Sequence, residues 1–247
     1  MDLELVQQSG WWHRRGFHAQ DWTTIKDAYR HDVYHVMDQR PARFDEVVVD
    51  VGACIGAFTR RAYERNPAAR IFAVEAHPLN IPCLEKNAGG FATIVHAAMT
   101  HLAEPALLGS IYEGTMATGG STVVARAEAA AYRGETYRYD SDAPPPPAIT
   151  LDELVAAHRI DFIDVLKLDC EGSEYGILEN AACLGDADHP SRVGLIVGEY
   201  HGGRGRFQDL LFDRFPAERW WTKTWDHHEH MGLFWIASRE RPPWLQE

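Results

Sequence analysis

Between Glu46 and Thr59 the chain reads EVVVDVGACIGAFT, and its first half, Val47 to Val49 and then Val51, is a nearly unbroken β-branched apolar run. Apolar residues at every position are the mark of a strand buried on both faces of a parallel sheet. The run stops at glycine, and Ile55, Ala57, Phe58 and Thr59 then open an amphipathic helix. The same alternation recurs. IFAVEAHP is a second apolar strand ending at Glu75, with Pro78 placed for a first helical position. A helix from Pro78 to Asn87, with Leu79, Ile81, Cys83 and Leu84 inward, is ended by Gly89-Gly90, and Phe91 to His96 is a third strand. Thr150-Leu151-Asp152-Glu153 is a capping box that starts a helix through Ala157. Strand Ile163 to Leu168, a helix from Ser173 and strand Val193 to Tyr200 follow. Arg219 to Trp225 and Gly232 to Ala237 alternate and are rich in aromatics, which predicts a closing antiparallel hairpin joined by Asp226 to His230.

Two stretches stand outside this rhythm. From Trp11, Trp12, Phe17 and Trp22 to Ile25, Tyr29, Val33, Val36 and Met37, apolar residues recur at near-helical spacing, so residues 1–43 are expected to form a helical extension. The extension either packs on the sheet as core or covers the substrate as a lid. Residues 101–147 are poor in large apolar side chains, with short strands expected at Leu107 to Tyr112 and Glu135 to Tyr139. A turn is expected at Gly119-Gly120-Ser121-Thr122, a low-complexity run at Ala125 to Ala131, and an extended connector at Pro144 to Pro147. They read as an insertion, because they cannot own a core, into one α/β domain spanning 44–247. Insertions on such sheets often shape a substrate pocket.

Length and charge narrow the class. A chain of 247 residues buries roughly 70 to 75% of its unfolded surface. A net charge of −12, with no Lys/Arg run, argues against a nucleic-acid backbone as partner. Cys54, Cys83, Cys170 and Cys183 are scattered without paired spacing, and there is no apolar signal core and no membrane-length apolar stretch. A reduced, cytoplasmic setting is expected.

The chemistry sits at the strand ends. Asp50, Gly52 and Gly56 form the first turn, with Ala53 and Cys54 between the glycines. A dinucleotide fold wants G-x-G-x-x-G, and a pyrophosphate sits badly beside Asp50. A first acid at Asp50 and a second at Glu75 suit a ligand carrying both an ammonium group and a ribose diol, which S-adenosylmethionine does. Ala76 after the second strand, Ala98 after the third and Asp169 complete the expected cofactor set. No acid near Ala97 to Met99 takes the adenine amino group, so backbone groups and Met99 serve. Asp169, Glu171 and Glu174, with Lys167 beside them, crowd the turn where open α/β sheets keep their ligands, although acids also favour a helix N-terminus. Glu199 and His201 project to one side of the next strand end, and His201 is the side chain suited to take a proton near neutral pH. Asp169, Glu199, His201 and His228 or His230 carry metal-ligand chemistry, but come from separated strand ends without a local motif, so no metal is assigned. The cluster from His227 to His230 either overhangs the site or is a solvated turn.

DVGACIGAFT, VEAHPLN, TLDEL, VLKLDCEGSEYGIL and VGEYH, in that order and spacing, resemble the FkbM family of S-adenosylmethionine-dependent methyltransferases over roughly Glu46 to His201, most specifically in LKLDCEGSE. The resemblance implies a class I, Rossmann-like, doubly wound and mostly parallel sheet of seven strands with a C-terminal antiparallel hairpin. It implies O-methylation of a hydroxyl on a sugar or natural product, a small-molecule acceptor. It places Asp50, Gly52 and Gly56 on the cofactor turn, Glu75 on the ribose, and Asp169 and Glu171 facing the methyl. The family more often has Asn where this chain has Cys54. Asp169 and Glu171, with Glu199 and His201 from the residue reading, are the candidate catalytic groups. A nicotinamide-dependent oxidoreductase and a non-catalytic S-adenosylmethionine-binding module remain the alternatives, and the oligomeric state is not determined.

Overall fold

The computed structural model describes residues 4–36, 44–102, 106–110, 121–125, 138–139, 146–186, 188–228 and 231–239. Its N-terminal segment begins with β1 (Leu5–Gln8) and β2 (Trp11–Arg14), an antiparallel pair. The expected helix is absent here because Ser9 and Gly10 both take positive φ, 52° and 80°, the turn that joins two strands with the correct twist. Helix α1 (His18–Thr24) follows and continues as a π-helical stretch, Ile25–Arg30. The apolar stripe therefore splits, its tryptophans at 11 and 12 on a strand and its later members on helix.

Strand β3 (Val47–Val51), helix α2 (Ala57–Arg65), strand β4 (Arg70–Glu75), helix α3 (Ile81–Ala88) and strand β5 (Thr93–His96) then alternate. Helix α3 starts three residues later than Pro78 suggested, with Pro82 in its first turn instead. The chain steps through β6 (Ala98–Met99), and β10 (Ala148–Ile149) later pairs parallel with β6, so the intervening stretch leaves and returns at one place. Within that stretch β8 (Ser121–Ala125), β7 (Ala106–Ser110) and β9 (Arg138–Tyr139) form a small antiparallel sheet. Ser121 and Thr122 thus open a strand rather than a turn. Gly119-Gly120, most of Ala125 to Ala131 and Pro144-Pro145 lie outside the described residues.

Helix α4 (Leu151–Ala157) carries the expected capping box, Thr150 accepting from the Glu153 amide at 3.1 Å and Glu153 accepting from the Thr150 amide at 2.8 Å. Strand β11 (Ile163–Leu168), helix α5 (Glu174–Asn180), strand β12 (Val193–His201), helix α6 (Arg204–Arg214) and the strands β13 (Trp220–His228) and β14 (Met231–Ser238) complete the chain. The seven-stranded sheet runs β13-β14-β12-β11-β3-β4-β5, with β14 antiparallel to both its neighbours. Strand β13 extends through His228, so the first part of the histidine cluster is strand and not turn, while Glu229 and His230 lie outside the described residues.

Alternation within each strand serves two cores. Val47, Val49 and Val51 pack with Leu154, Leu178 and Phe207 of α4, α5 and α6 on one face. Val48 packs with Phe58 of α2 and with Trp11, Ile25 and Val36 of the N-terminal segment on the other. Burial of both faces is why the central strands read as continuous apolar runs. It also fixes the crossover: β3, first in the sheet's sequence, sits between β11 and β4, so the chain reverses direction across the sheet there. Among the described residues no helix is long and apolar enough to cross a membrane.

Candidate active site

At that reversal the carboxyl ends of the strands meet around one cavity, the place where open α/β sheets hold ligands. Its wall includes Gly52, Ala53 and Cys54 from the turn after β3, Glu75 and Ala76 after β4, Ala97 and Met99 around β6, and Asp169, Cys170 and Glu171 after β11. Thr24, Ala28 and Tyr34 of the N-terminal segment also line it. The segment is therefore both core and cavity wall. No sequence signal marks Tyr34, because its partner is brought in from the far side of the chain.

The first turn is built for close packing. Gly52 has φ +75°, and a Cβ there would lie 1.8 Å from the Asp169 carbonyl oxygen, so only glycine lets the turns after β3 and β11 touch. The amides of Gly52 and Ala53 donate to the Val74 carbonyl at 3.0 and 3.1 Å, and that of Gly56 to the Ala53 carbonyl at 2.8 Å. The Cys54 amide donates to Glu75 Oε2 at 2.8 Å. These four amides are thus taken and do not form the cradle a pyrophosphate requires.

Glu75 lies in the wall as the sequence suggested. Its Oε1 accepts from the His77 amide at 2.7 Å and from Asn80 Nδ2 at 3.0 Å. A carboxylate offers about four acceptor positions, so these and the Cys54 amide leave roughly one for a ligand hydroxyl. Burial raises its pKa by more than the three hydrogen bonds lower it. Behind it stands fully buried Arg14, which pairs with Asp21 and donates to Asn80 Oδ1.

Asp50 does not face the cavity. It is fully buried on the same face of β3 as Val48, where Oδ2 accepts from Thr59 Oγ1 at 2.6 Å and Oδ1 lies 3.1 Å from Lys167 Nζ. Lys167 also donates to the Val51 and Gly52 carbonyls at 3.1 and 2.7 Å. Asp50 and Lys167 therefore lock the first turn to β11, and the expected contact between Asp50 and a ligand ammonium is replaced by an internal ion pair. Gly56 likewise stands off the wall, its α-carbon facing Leu84 of α3. Ala98 is fully buried and points the other way from its neighbours Ala97 and Met99, which line the cavity in its stead.

The acid turn after β11 is the most densely charged part of the site. Tyr34 donates its hydroxyl to Asp169 Oδ2 at 2.6 Å. Glu171, on the wall, is held in the left-handed region at φ 54°, an uncommon conformation for a residue with a side chain. Glu174 is no mere helix-start acid: it is fully buried, Oε1 accepts from the His201 amide and from His201 Nδ1, both at 2.9 Å, and Oε2 accepts from the Gly172 amide at 2.8 Å. Its place three residues past Glu171, on the inward side of the helix start, was the available signal. His201 Nε2 lies 3.3 Å from Glu171 Oε2, and His201 and Glu199 stand beside the cavity, not on its wall.

Burial and charge crowding act together on Glu171, Glu199 and His201. Burial, with Asp169, Glu174 and Glu199 nearby, outweighs His201 and pushes Glu171 up to about 8. Burial and Asp169 push Glu199 up to about 7. For His201 burial alone would lower the pKa, but Glu174, Glu171 and Asp169 outweigh it and push it up to about 10. An imidazole pinned between two glutamates is pushed toward its protonated form, which disfavours His201 as a base poised near pH 7.

A seven-stranded sheet of this order, with its one antiparallel strand and its cavity at the carboxyl ends of β3 and β4, defines a class I methyltransferase fold. Residues 50–237 match the Methyltransferase FkbM domain, and the chain belongs to that family. Membership decides against the oxidoreductase alternative. No curated protein matches the chain in sequence. Among solved structures it is similar to a precorrin-6y C5,15-methyltransferase from Geobacter metallireducens, at 15% identity over 84% of this chain and 86% of that one, with a TM-score of 0.45. It is similar to an rRNA methylase from Streptococcus thermophilus at 7% identity over 85% and 95% of the two chains, TM-score 0.48. A methyltransferase FkbM from Methylobacillus flagellatus matches at 15% identity over 78% of this chain and 44% of that one, TM-score 0.39.

Proposed function

We propose that the chain is an S-adenosylmethionine-dependent O-methyltransferase acting on a hydroxyl of a small polyhydroxylated molecule, a sugar or natural product. The observation that carries this reading is that one cavity has Glu75 in one part of its wall and the carboxylates Asp169 and Glu171 in another. The residues suit the cofactor. Glu75 has acceptor capacity left for a ribose hydroxyl, Met99, Ala97, Ala76 and Val74 offer an apolar face to a purine, and the amides of the first turn make no demand for a phosphate.

The bound cofactor supplies an electrophilic methyl on a positively charged sulfur, whose charge is lost as the neutral thioether departs. What remains for the protein is to hold the acceptor oxygen in line, about 3 to 3.5 Å from that carbon, and to receive the hydroxyl proton as the C–O bond forms. Asp169 and Glu171 meet the acceptor at the wall, and the proton passes to the carboxylate face that they form with Glu199. His201, held by Glu174, acts through Glu171 and so positions it. The net charge of −12 favours a small acceptor over RNA.

The test is calorimetry with S-adenosylmethionine, followed by transfer of a labelled methyl to a panel of hydroxylated sugars and secondary metabolites, with the product located by NMR. A methyl ether is the expected product. A methyl on nitrogen or carbon would overturn O-methylation, and tight cofactor binding without transfer to any acceptor would favour a non-catalytic module.

A further inference from the structure

Three side chains of metal-ligand type, from two different strand ends, converge beside the cavity. One ligand atom each from Asp169, Glu171 and His201 lie within 4.8 Å of one another. Convergence of acids alone is common on protein surfaces, but two further features mark this cluster.

His201 Nε2 is buried and makes no hydrogen bond, yet it is aimed at Glu171 Oε2, 3.3 Å away. It is aimed because Glu174 accepts from the other ring nitrogen at 2.9 Å and from the His201 amide at 2.9 Å. A buried carboxylate that fixes one imidazole nitrogen and so presents the other is the arrangement that supports metal-bound histidines. The second feature is the backbone of the turn. Glu171 holds φ 54° where glycine would be relaxed, and strain of this kind persists where the surroundings over-determine the position, characteristically at ligand clamps. Charge adds to both. Asp169, Glu171, Glu174 and Glu199 act on one another here, while Lys167, the nearby lysine, sits 3.1 Å from Asp50 and only 3.9 Å from Asp169 Oδ2, so most of the cluster's charge is left to other partners.

We propose that Asp169, Glu171 and His201 bind one divalent cation on the acceptor side of the cavity. Two carboxylate oxygens are the ligands that suit Mn²⁺, the single imidazole nitrogen adds a borderline ligand, and the absence of a thiolate from this set puts the soft metals aside. Its role rests on the methyltransferase reading: a cation there ligates the acceptor's hydroxyl oxygen, lowers that group's pKa and orients it toward the methyl. Glu199 lies outside the ligand set and stays available to the released proton.

The experiment uses the full chain, stripped with a chelator and titrated with MnCl₂ in the absence of cofactor, with free Mn²⁺ followed by its EPR signal. One Mn²⁺ per chain is expected. Glu171→Gln and Asp169→Asn should each weaken binding at least tenfold. Glu174→Gln keeps all three ligands but loosens the hold on His201, and should weaken binding about 10- to 100-fold, the range seen when such outer partners are changed. Circular dichroism on each variant confirms the fold. Glu75→Gln separates this inference from the reading it rests on, since it should lower S-adenosylmethionine affinity and leave Mn²⁺ binding unchanged. Absence of Mn²⁺ binding in the wild type, or binding that survives Glu171→Gln and Asp169→Asn intact, would overturn the site and leave an imidazolium held between two glutamates as the cluster's full account.

Discussion

Tyr34 and Asp169 are 135 residues apart in the chain, yet the Tyr34 hydroxyl donates to Asp169 Oδ2 at 2.6 Å. This bond joins the N-terminal segment, which precedes the matched family domain, to the acid turn. Trp235 Nε1 donates to the Tyr34 carbonyl at 2.6 Å and Phe58 meets its ring edge-on, so the tyrosine is held from both sides. A hydrogen bond to a charged group contributes about 1.5 to 3 kcal/mol. A double-mutant cycle of Tyr34→Phe and Asp169→Asn in urea unfolding should therefore show a coupling of about 1 to 2 kcal/mol, somewhat less than that range because Asp169 is 26% exposed and regains water. Additive effects would mean the two groups do not bond in solution.

Glu75→Gln keeps the size of the side chain but removes the charge that faces the cavity. Cofactor affinity should fall about tenfold, equivalent to about 1.4 kcal/mol, with the melting temperature little changed. Titration calorimetry measures the first and a thermal melt the second. Unchanged affinity would remove Glu75 from the ribose contact.

Lys167 and Asp50 are buried to 4% and 0% side-chain exposure and 3.1 Å apart. Lys167→Met leaves the aspartate without its cation and should cost about 3 to 5 kcal/mol in urea unfolding. Replacing both, Lys167→Met with Asp50→Leu, should restore part of that loss, because no buried charge is then left unpaired. If the double replacement were as damaging as the sum of the single ones, the pair would be acting through something other than its charges.

Burial pushes the thiols of Cys54, Cys83 and Cys183 up to about 12, and raises Cys170 too, against the lowering effect of Arg14 on the first two. A raised thiol pKa means that the reactive thiolate is scarce at pH 8. Native protein should stay unmodified by iodoacetamide at that pH, while protein in urea takes up label at all four cysteines, as intact mass will show. Rapid single labelling at Cys54 in the native state would show that the first turn opens in solution.

The main sheet was legible because its signals are local. An apolar run at Val47 to Val51, a capping box at Thr150 and an alternating aromatic pair of segments each report on burial or on backbone bonds formed within a few residues. The acids at Glu75, Asp169 and Glu171 were legible for the same reason, since a strand end places them at the carboxyl edge whatever else the chain does.

What the tertiary structure decided is which of those groups face the cavity and which face each other. Asp50 occupies the end of a buried strand as expected, but alternation turns it onto the face where Lys167 and Thr59 wait, and that pairing belongs to β11 and α2. His201 has the residue type of a neutral-pH base, yet its protonation is governed by Glu174 and Glu171 on another element. Tyr34 carried no pattern at all. Position along one strand fixes where a side chain starts, but its charge state and partners depend on sums over neighbours that only packing brings within a few ångströms.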